Sequence, residues 1–117
     1  MRKHNKNNWS EYDEGFSVGT SGDGGGAIVR DEDHKNGARI TMEEENGLAE
    51  FVITCGVYGW MFHTRLFDGR AEADEAFDEM REELGEILEA KPSEESAGEE
   101  EQEDFAEELV MFIERFP

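Results

Sequence analysis

Through residues 27–67 apolar and polar side chains alternate with the period of half-buried strands, and after residue 70 the period lengthens to that of helices. The chain therefore reads as a sheet followed by helices. Residues 27–33 and 38–44 form a hairpin closed near Asn36-Gly37, a pair that accepts the positive φ angles of a tight turn. Cross-strand chemistry favours a four-residue loop, with Val29 beside Met42 and Glu32 opposite Arg39, over a two-residue loop that sets Asp31 beside Met42. Asn46-Gly47 signals a second turn of two residues, which aligns Met42 with Phe51, Ile40 with Ile53 and Ala38 with Cys55.

Residues 51–67 are the one long apolar and aromatic run, and the turn Gly56-Val57-Tyr58-Gly59 divides them into two strands. A four-residue turn sets Trp60 against Cys55 and Phe62 against Ile53. On that register Phe51, Ile53, Cys55, Phe62 and Leu66 face the core, and Arg39, Thr41, Val52, Thr54, Met61, His63 and Arg65 face outward. Asp68 stands where a helix cap is needed, and Ala73, Ala76, Phe77, Met80, Leu84, Ile87 and Leu88 recur at helical spacing over 70–90. Pro92 and an acidic stretch over 91–102 read as a linker. A second helix over 103–116 gathers Phe105, Leu109, Phe112, Ile113 and Phe116 on one side.

The expected architecture is α+β: an antiparallel meander of four strands, or five if residues 14–19 add one, followed by two C-terminal helices packed on the sheet. Residues 1–11 read as a mobile basic leader and residues 12–117 as a single domain. The glycine-dense stretch Gly19-Thr20-Ser21-Gly22-Asp23-Gly24-Gly25-Gly26 lacks the Gly-Lys-Ser/Thr ending of a phosphate loop and precedes a strand, so it reads as a flexible turn.

Charge sharpens this picture. The 117 residues carry a net charge of −20. Residues 1–70 hold twelve acids against eight Lys and Arg, whereas residues 71–117 hold nineteen against three, so the helical half carries the field. Such a field repels DNA, RNA and anionic lipid and steers a basic partner, besides serving solubility or life in high salt. No apolar run reaches the roughly 18 residues of a membrane span, no secretory h-region opens the chain, and the single cysteine has no internal disulfide partner. A cytoplasmic protein is expected.

Candidate chemistry is sparse. Cys55 and His63 are the nucleophile and base nearest each other, but on the register above they fall on opposite faces, leaving Cys55 as a small core hydrophobe and no catalytic set. His4, His34 and His63 sit in different elements without zinc-site spacing, so neither metal nor cofactor is expected. Arg39, His63 and Arg65, with Tyr58 and Trp60 at the rim, form the candidate anion or ligand site; the competing reading pairs these arginines with Glu43, Glu50 or helix acids. Val52, Met61 and Phe67 outside the sheet, with Val110 and Met111 on the second helix, form a candidate interaction surface that the second helix or a second copy of the chain would cover. The function expected from these features is a small acidic, non-enzymatic interaction module, of the inhibitor, immunity or adaptor type, that engages a basic partner through its helical half. A ligand- or anion-binding domain centred on Arg39, His63 and Arg65 is the alternative, and a structural homodimer the third.

Overall fold

A computed structural model describes residues 8–91 and 98–117. Five strands, β1 (Trp9–Glu11), β2 (Ala27–His34), β3 (Ala38–Asn46), β4 (Ala49–Val57) and β5 (Met61–Phe67), form one antiparallel sheet in the order β1-β2-β3-β4-β5. Helices α1 (Arg70–Glu89) and α2 (Glu99–Arg115) follow. Both helices pack on the same face of the sheet, giving two layers, and among the described residues no helix is long and apolar enough to cross a membrane.

The core lies between those layers. Ala38, Ile40 and Met42 of β3 and Ile53, Cys55 and Val57 of β4 point into it and meet Ala73, Phe77, Met80, Leu84 and Leu88 of α1. Phe105, Leu109 and Phe112 of α2 close its end. Each fully buried Phe, Leu or Met contributes roughly 1.5–3 kcal/mol relative to exposure, so this interdigitated set is the main stabilising term. Where the helices start, sequence and structure differ. Gly69, not Asp68, occupies the N-cap position of α1 and makes no side-chain bond there. α2 begins four residues earlier than expected, at Glu99 rather than at residue 103, and the Glu101 carboxylate accepts the Gly98 N–H at 3.0 Å.

The fifth strand is not at 14–19. It is β1, within the segment expected to be a mobile leader, and the reason is Trp9: its ring is buried, stacks edge-on with His34 at 5.0 Å, and donates from Nε1 to the Arg81 carbonyl at 3.0 Å. The rest of that leader, residues 1–7, lies outside the described residues, as do residues 92–97 of the expected linker.

All three hairpin registers depart from expectation. Lys35-Asn36-Gly37 closes the first hairpin as a three-residue loop, with Gly37 at φ +94°, so Asp33 rather than Glu32 opposes Arg39. The same loop sets Arg30, not Val29, beside Met42, and a bulge at Val29 then pairs Ile28 with Glu43. In the second hairpin Asn46 belongs to β3, because its side chain accepts the Leu48 N–H and donates to Glu43; the turn is Gly47-Leu48 and the pairing shifts by two residues. A shift of two keeps every side chain on its expected face. The third hairpin turns on Tyr58-Gly59-Trp60, which pairs Val57 with Met61 and Cys55 with His63. That shift is odd, so the whole of β5 is inverted relative to the sequence reading. Met61, His63, Arg65 and Phe67 lie under the helices, and Phe62 and Leu66 are on the outer face, 75% and 54% exposed.

Residues 12–26 fold back over that outer face. Tyr12–Gly15 turns sharply with Asp13 and Glu14 in the left-handed region, φ 52° and 55°. The glycine stretch is a hydrogen-bonded turn, not a slack one: Gly22 N–H donates to the Gly26 carbonyl, Gly25 N–H to Gly22, and Ile28 N–H to Thr20. It closes against β3 so tightly that a Cβ at Gly26 would lie 2.6 Å from the Glu44 carbonyl oxygen. Gly26→Ala is therefore expected to lower unfolding stability by about 1–3 kcal/mol in urea titration. Gly47→Ala, whose Cβ meets nothing within 4 Å, is expected to be nearly neutral.

Candidate functional site

The outer face of the sheet and the segment 12–26 enclose a cleft of about 820 Å³. Its floor is a row of threonines, Thr41 on β3, Thr54 on β4 and Thr64 on β5, which the register places side by side, together with Val52 and Gly56. Tyr12, Phe16 and Ser17 form one wall, and Tyr58 and Phe62 stand at the other end. The floor's charged groups are already matched. Asp31, buried on the same face as the cross-strand neighbour of Thr41, receives Arg39 Nε and Nη2 at 2.9 and 2.7 Å and the Thr41 hydroxyl at 2.9 Å. Arg39 also lies 3.6 Å over the Tyr12 ring. The hydrogen bond from Arg39 to Asp31 holds the guanidinium pKa above its ordinary value despite partial burial. Burial pushes the Tyr58 hydroxyl up, opposed by the nearby Arg39 charge.

Glu43 is the second buried acid of this face. Its carboxylate accepts Gly26 N–H at 2.9 Å, Gly24 N–H at 3.3 Å and Asn46 Nδ2 at 2.9 Å. A glycine-rich turn with converging N–H groups is the backbone geometry that binds anions, and here the anion is supplied by the protein itself. Sequence reasoning assigned Asp31 no role on this face and offered Glu43 only as a partner of the arginines. The signal was present in the excess of Asp and Glu on strands, which are poor places for unpaired carboxylates.

The five residues grouped beforehand as a ligand site are divided between the faces. Arg39 and Tyr58 belong to the outer cleft. His63 and Arg65 lie on the helix side of β5, where His63 Nε2–H donates to the Phe116 carbonyl at 2.6 Å and Arg65 Nε–H to the Pro117 carbonyl oxygen at 3.0 Å. Trp60 turns under α2 and stacks edge-on with Phe105 at 4.7 Å. The acids expected to neutralise Arg39, Glu43 and Glu50, do not do so; Asp31 does. The proposed apolar surface divides likewise. Val52 is buried in the cleft floor, Met61 and Phe67 pack against the core under the helices, and Val110 and Met111 are exposed on α2.

Inversion of β5 also brings Cys55 and His63 face to face as cross-strand neighbours, contrary to the parity argument. The pair is not an activated thiol. Cys55 is 1% exposed and burial pushes its thiol up to about 12, with Arg65 opposing, while His63 spends its Nε2–H on the C-terminal end of α2. Burial likewise lowers the Arg65 guanidinium, opposed by Glu79. Among the described residues no group of three or more His, Cys, Asp and Glu is arranged to hold a metal ion.

A second concavity, of about 670 Å³, runs between the helices. Ile87, Ala90 and Phe105 form its apolar base, and Glu83, Glu86, Glu101, Asp104, Glu107 and Glu108 line its sides. Arg115, the basic residue lining it, is paired with Glu83 at 3.3 Å. No protein-family model, curated protein or solved structure matches the chain.

Two outcomes follow from this geometry. The Cys55 thiol should resist a thiol reagent in the folded protein at pH 8 and react on unfolding. Because its folded pKa is raised, the stability it contributes is intact below the unfolded value near 9 and is lost as pH rises toward 12. Urea titrations at increasing pH should show wild type losing up to about 1.4 kcal/mol per pH unit more than Cys55→Ala over that window. Arg39→Ala leaves the buried Asp31 carboxylate without its cation and should lower unfolding stability by about 3 kcal/mol, measured by urea denaturation.

Proposed function

We propose that the protein is a non-enzymatic interaction module that takes a basic, amphipathic segment of a partner protein into the groove between α1 and α2. What carries this reading is the groove itself, whose small apolar base of Ile87, Ala90 and Phe105 is bordered by the carboxylates of both helices. The helical half holds nineteen acids over residues 71–117, and among the described residues only Asp74, Asp78 and Glu83 of them take part in ion pairs. The remaining carboxylates among the described residues are exposed to water, so their field reaches outward about a Debye length, some 8–10 Å at moderate salt. A Lys- or Arg-bearing helix with one apolar side satisfies both parts of the groove: its cations meet the two acidic borders, and its apolar side rests on Ala90, exposed beside the buried Ile87 and Phe105. The buried, protonated Cys55 thiol and the saturated Asp31 and Glu43 carboxylates favour recognition over catalysis.

The reading is tested by titrating isotope-labelled protein with a synthetic Lys/Leu amphipathic peptide and following amide shifts. Shifts should concentrate on residues 83–90 and 101–108, weaken steeply as salt rises, and lose about tenfold in affinity, roughly 1.4 kcal/mol, in the triple variant Glu86→Gln, Asp104→Asn, Glu108→Gln. Shifts scattered over every acidic surface, or affinity unchanged in the variant, would sink it.

A further inference from the structure

We propose that the cleft on the outer face of the sheet is a binding site for a small uncharged molecule, mostly apolar, with one or two groups that hydrogen-bond to hydroxyls. It is separate from the interhelical groove and does not depend on what that groove binds. The volume of about 820 Å³ lies in the range of small-molecule sites, a few hundred to about 1,000 Å³. Its floor is built on strands of a regular sheet and its wall is held by hydrogen bonds to β2 and β3, so the space exists before anything enters it.

The ligand's charge follows from what the floor has left to offer. Arg39 is spent on Asp31 and on the Tyr12 ring, and the Glu43 carboxylate already accepts three donors. An anion would have to pull Arg39 from Asp31, leaving a buried carboxylate bare, and would pass Asp13 and Asp23 at the margin. A cation would leave water for a buried carboxylate whose charge is already met by three internal donors. A neutral molecule disturbs neither pair.

The ligand's polarity follows from two further observations. The Thr54 and Thr64 hydroxyls, adjacent on the floor, make no hydrogen bond among the described residues. The Ser17 hydroxyl in the wall is buried and has no partner, a deficit that an entering polar group removes. The apolar part is set by Phe16 and Phe62, about three-quarters exposed at opposite sides, which a ring system seated between them would cover.

The experiment uses a neutral fluorescent probe, N-phenyl-1-naphthylamine, and its anionic counterpart 1-anilinonaphthalene-8-sulfonate, titrated into the full chain with sedimentation velocity on the same samples. The expected result is saturable, blue-shifted binding of the neutral probe at one per chain, at least tenfold tighter than the anionic one. Thr54→Phe, which fills the floor, should weaken it at least tenfold; Thr64→Phe, on an exposed strand position, repeats the test should the first variant lose its far-UV circular dichroism. Non-saturable binding, equal or tighter binding of the sulfonate, or binding indifferent to both variants overturns the proposal. So does a dimer that Phe62→Asp splits into monomers unable to bind the probe, since the face then belongs to a second copy of the chain.

Discussion

The arrangement depends on the number of residues in one turn. Tyr58-Gly59-Trp60 joins β4 to β5 with Gly59 at φ +83°, a conformation open to glycine at little cost, and this three-residue closure makes Val57 and Met61 partners. One residue more or fewer would exchange the two faces of β5. As built, Met61, His63, Arg65 and Phe67 lie beneath α2, where His63 and Arg65 bind the carbonyls at the end of that helix and so place it alongside β5. Thr64 completes the threonine row on the other face, with Phe62 and Leu66 on either side. The helix layer and the cleft are thus two products of the same register.

This explains which parts of the fold were legible in the sequence. The period-two and period-3.6 patterns marked four strands and two helices, because each buries one face and the alternation records it directly. Register is not recorded in that way. A slip of two residues at Asn46 did no harm to the facing of β3 and β4, whereas at Gly56-Val57-Tyr58-Gly59 the run of apolar and aromatic residues on both parities left either facing of β5 chemically acceptable, and the wrong one was chosen. β1 was illegible for another reason: three residues carry no period, and Trp9 is held by His34 and the Arg81 carbonyl, contacts far away in the chain. Of the candidate site, Arg39 lies on the outer face, as the alternation of β3 implies, and Tyr58 lines the same cleft, while His63 and Arg65 followed β5 to the other side.

The polar groups of the outer face illustrate how a sheet surface is made receptive without being made reactive. Asp31 and Glu43 would each be costly to bury alone, and each is offset by three hydrogen bonds donated from within the protein. In the Glu43 cluster the glycines allow the approach, since a side chain at Gly22, Gly24 or Gly26 would collide with Glu43, Asn46 or the β3 backbone. The Gly24 and Gly26 bonds that satisfy Glu43 also fasten the end of segment 12–26 to β3. What is left unspent is neutral: hydroxyls and ring faces.

The uneven placement of acids has a consequence for how the molecule moves. With nineteen acids against three bases in the helical half, and the buried outer-face acids Asp31 and Glu43 tied to internal donors, the centre of negative charge is displaced from the centre of mass along the normal to the sheet. The protein is an electric dipole as well as an anion. Near a cationic surface it feels a torque before it feels contact, and it arrives helices first with the sheet turned back toward the solution. Orientation is then decided during diffusion, before any surface of the sheet is met.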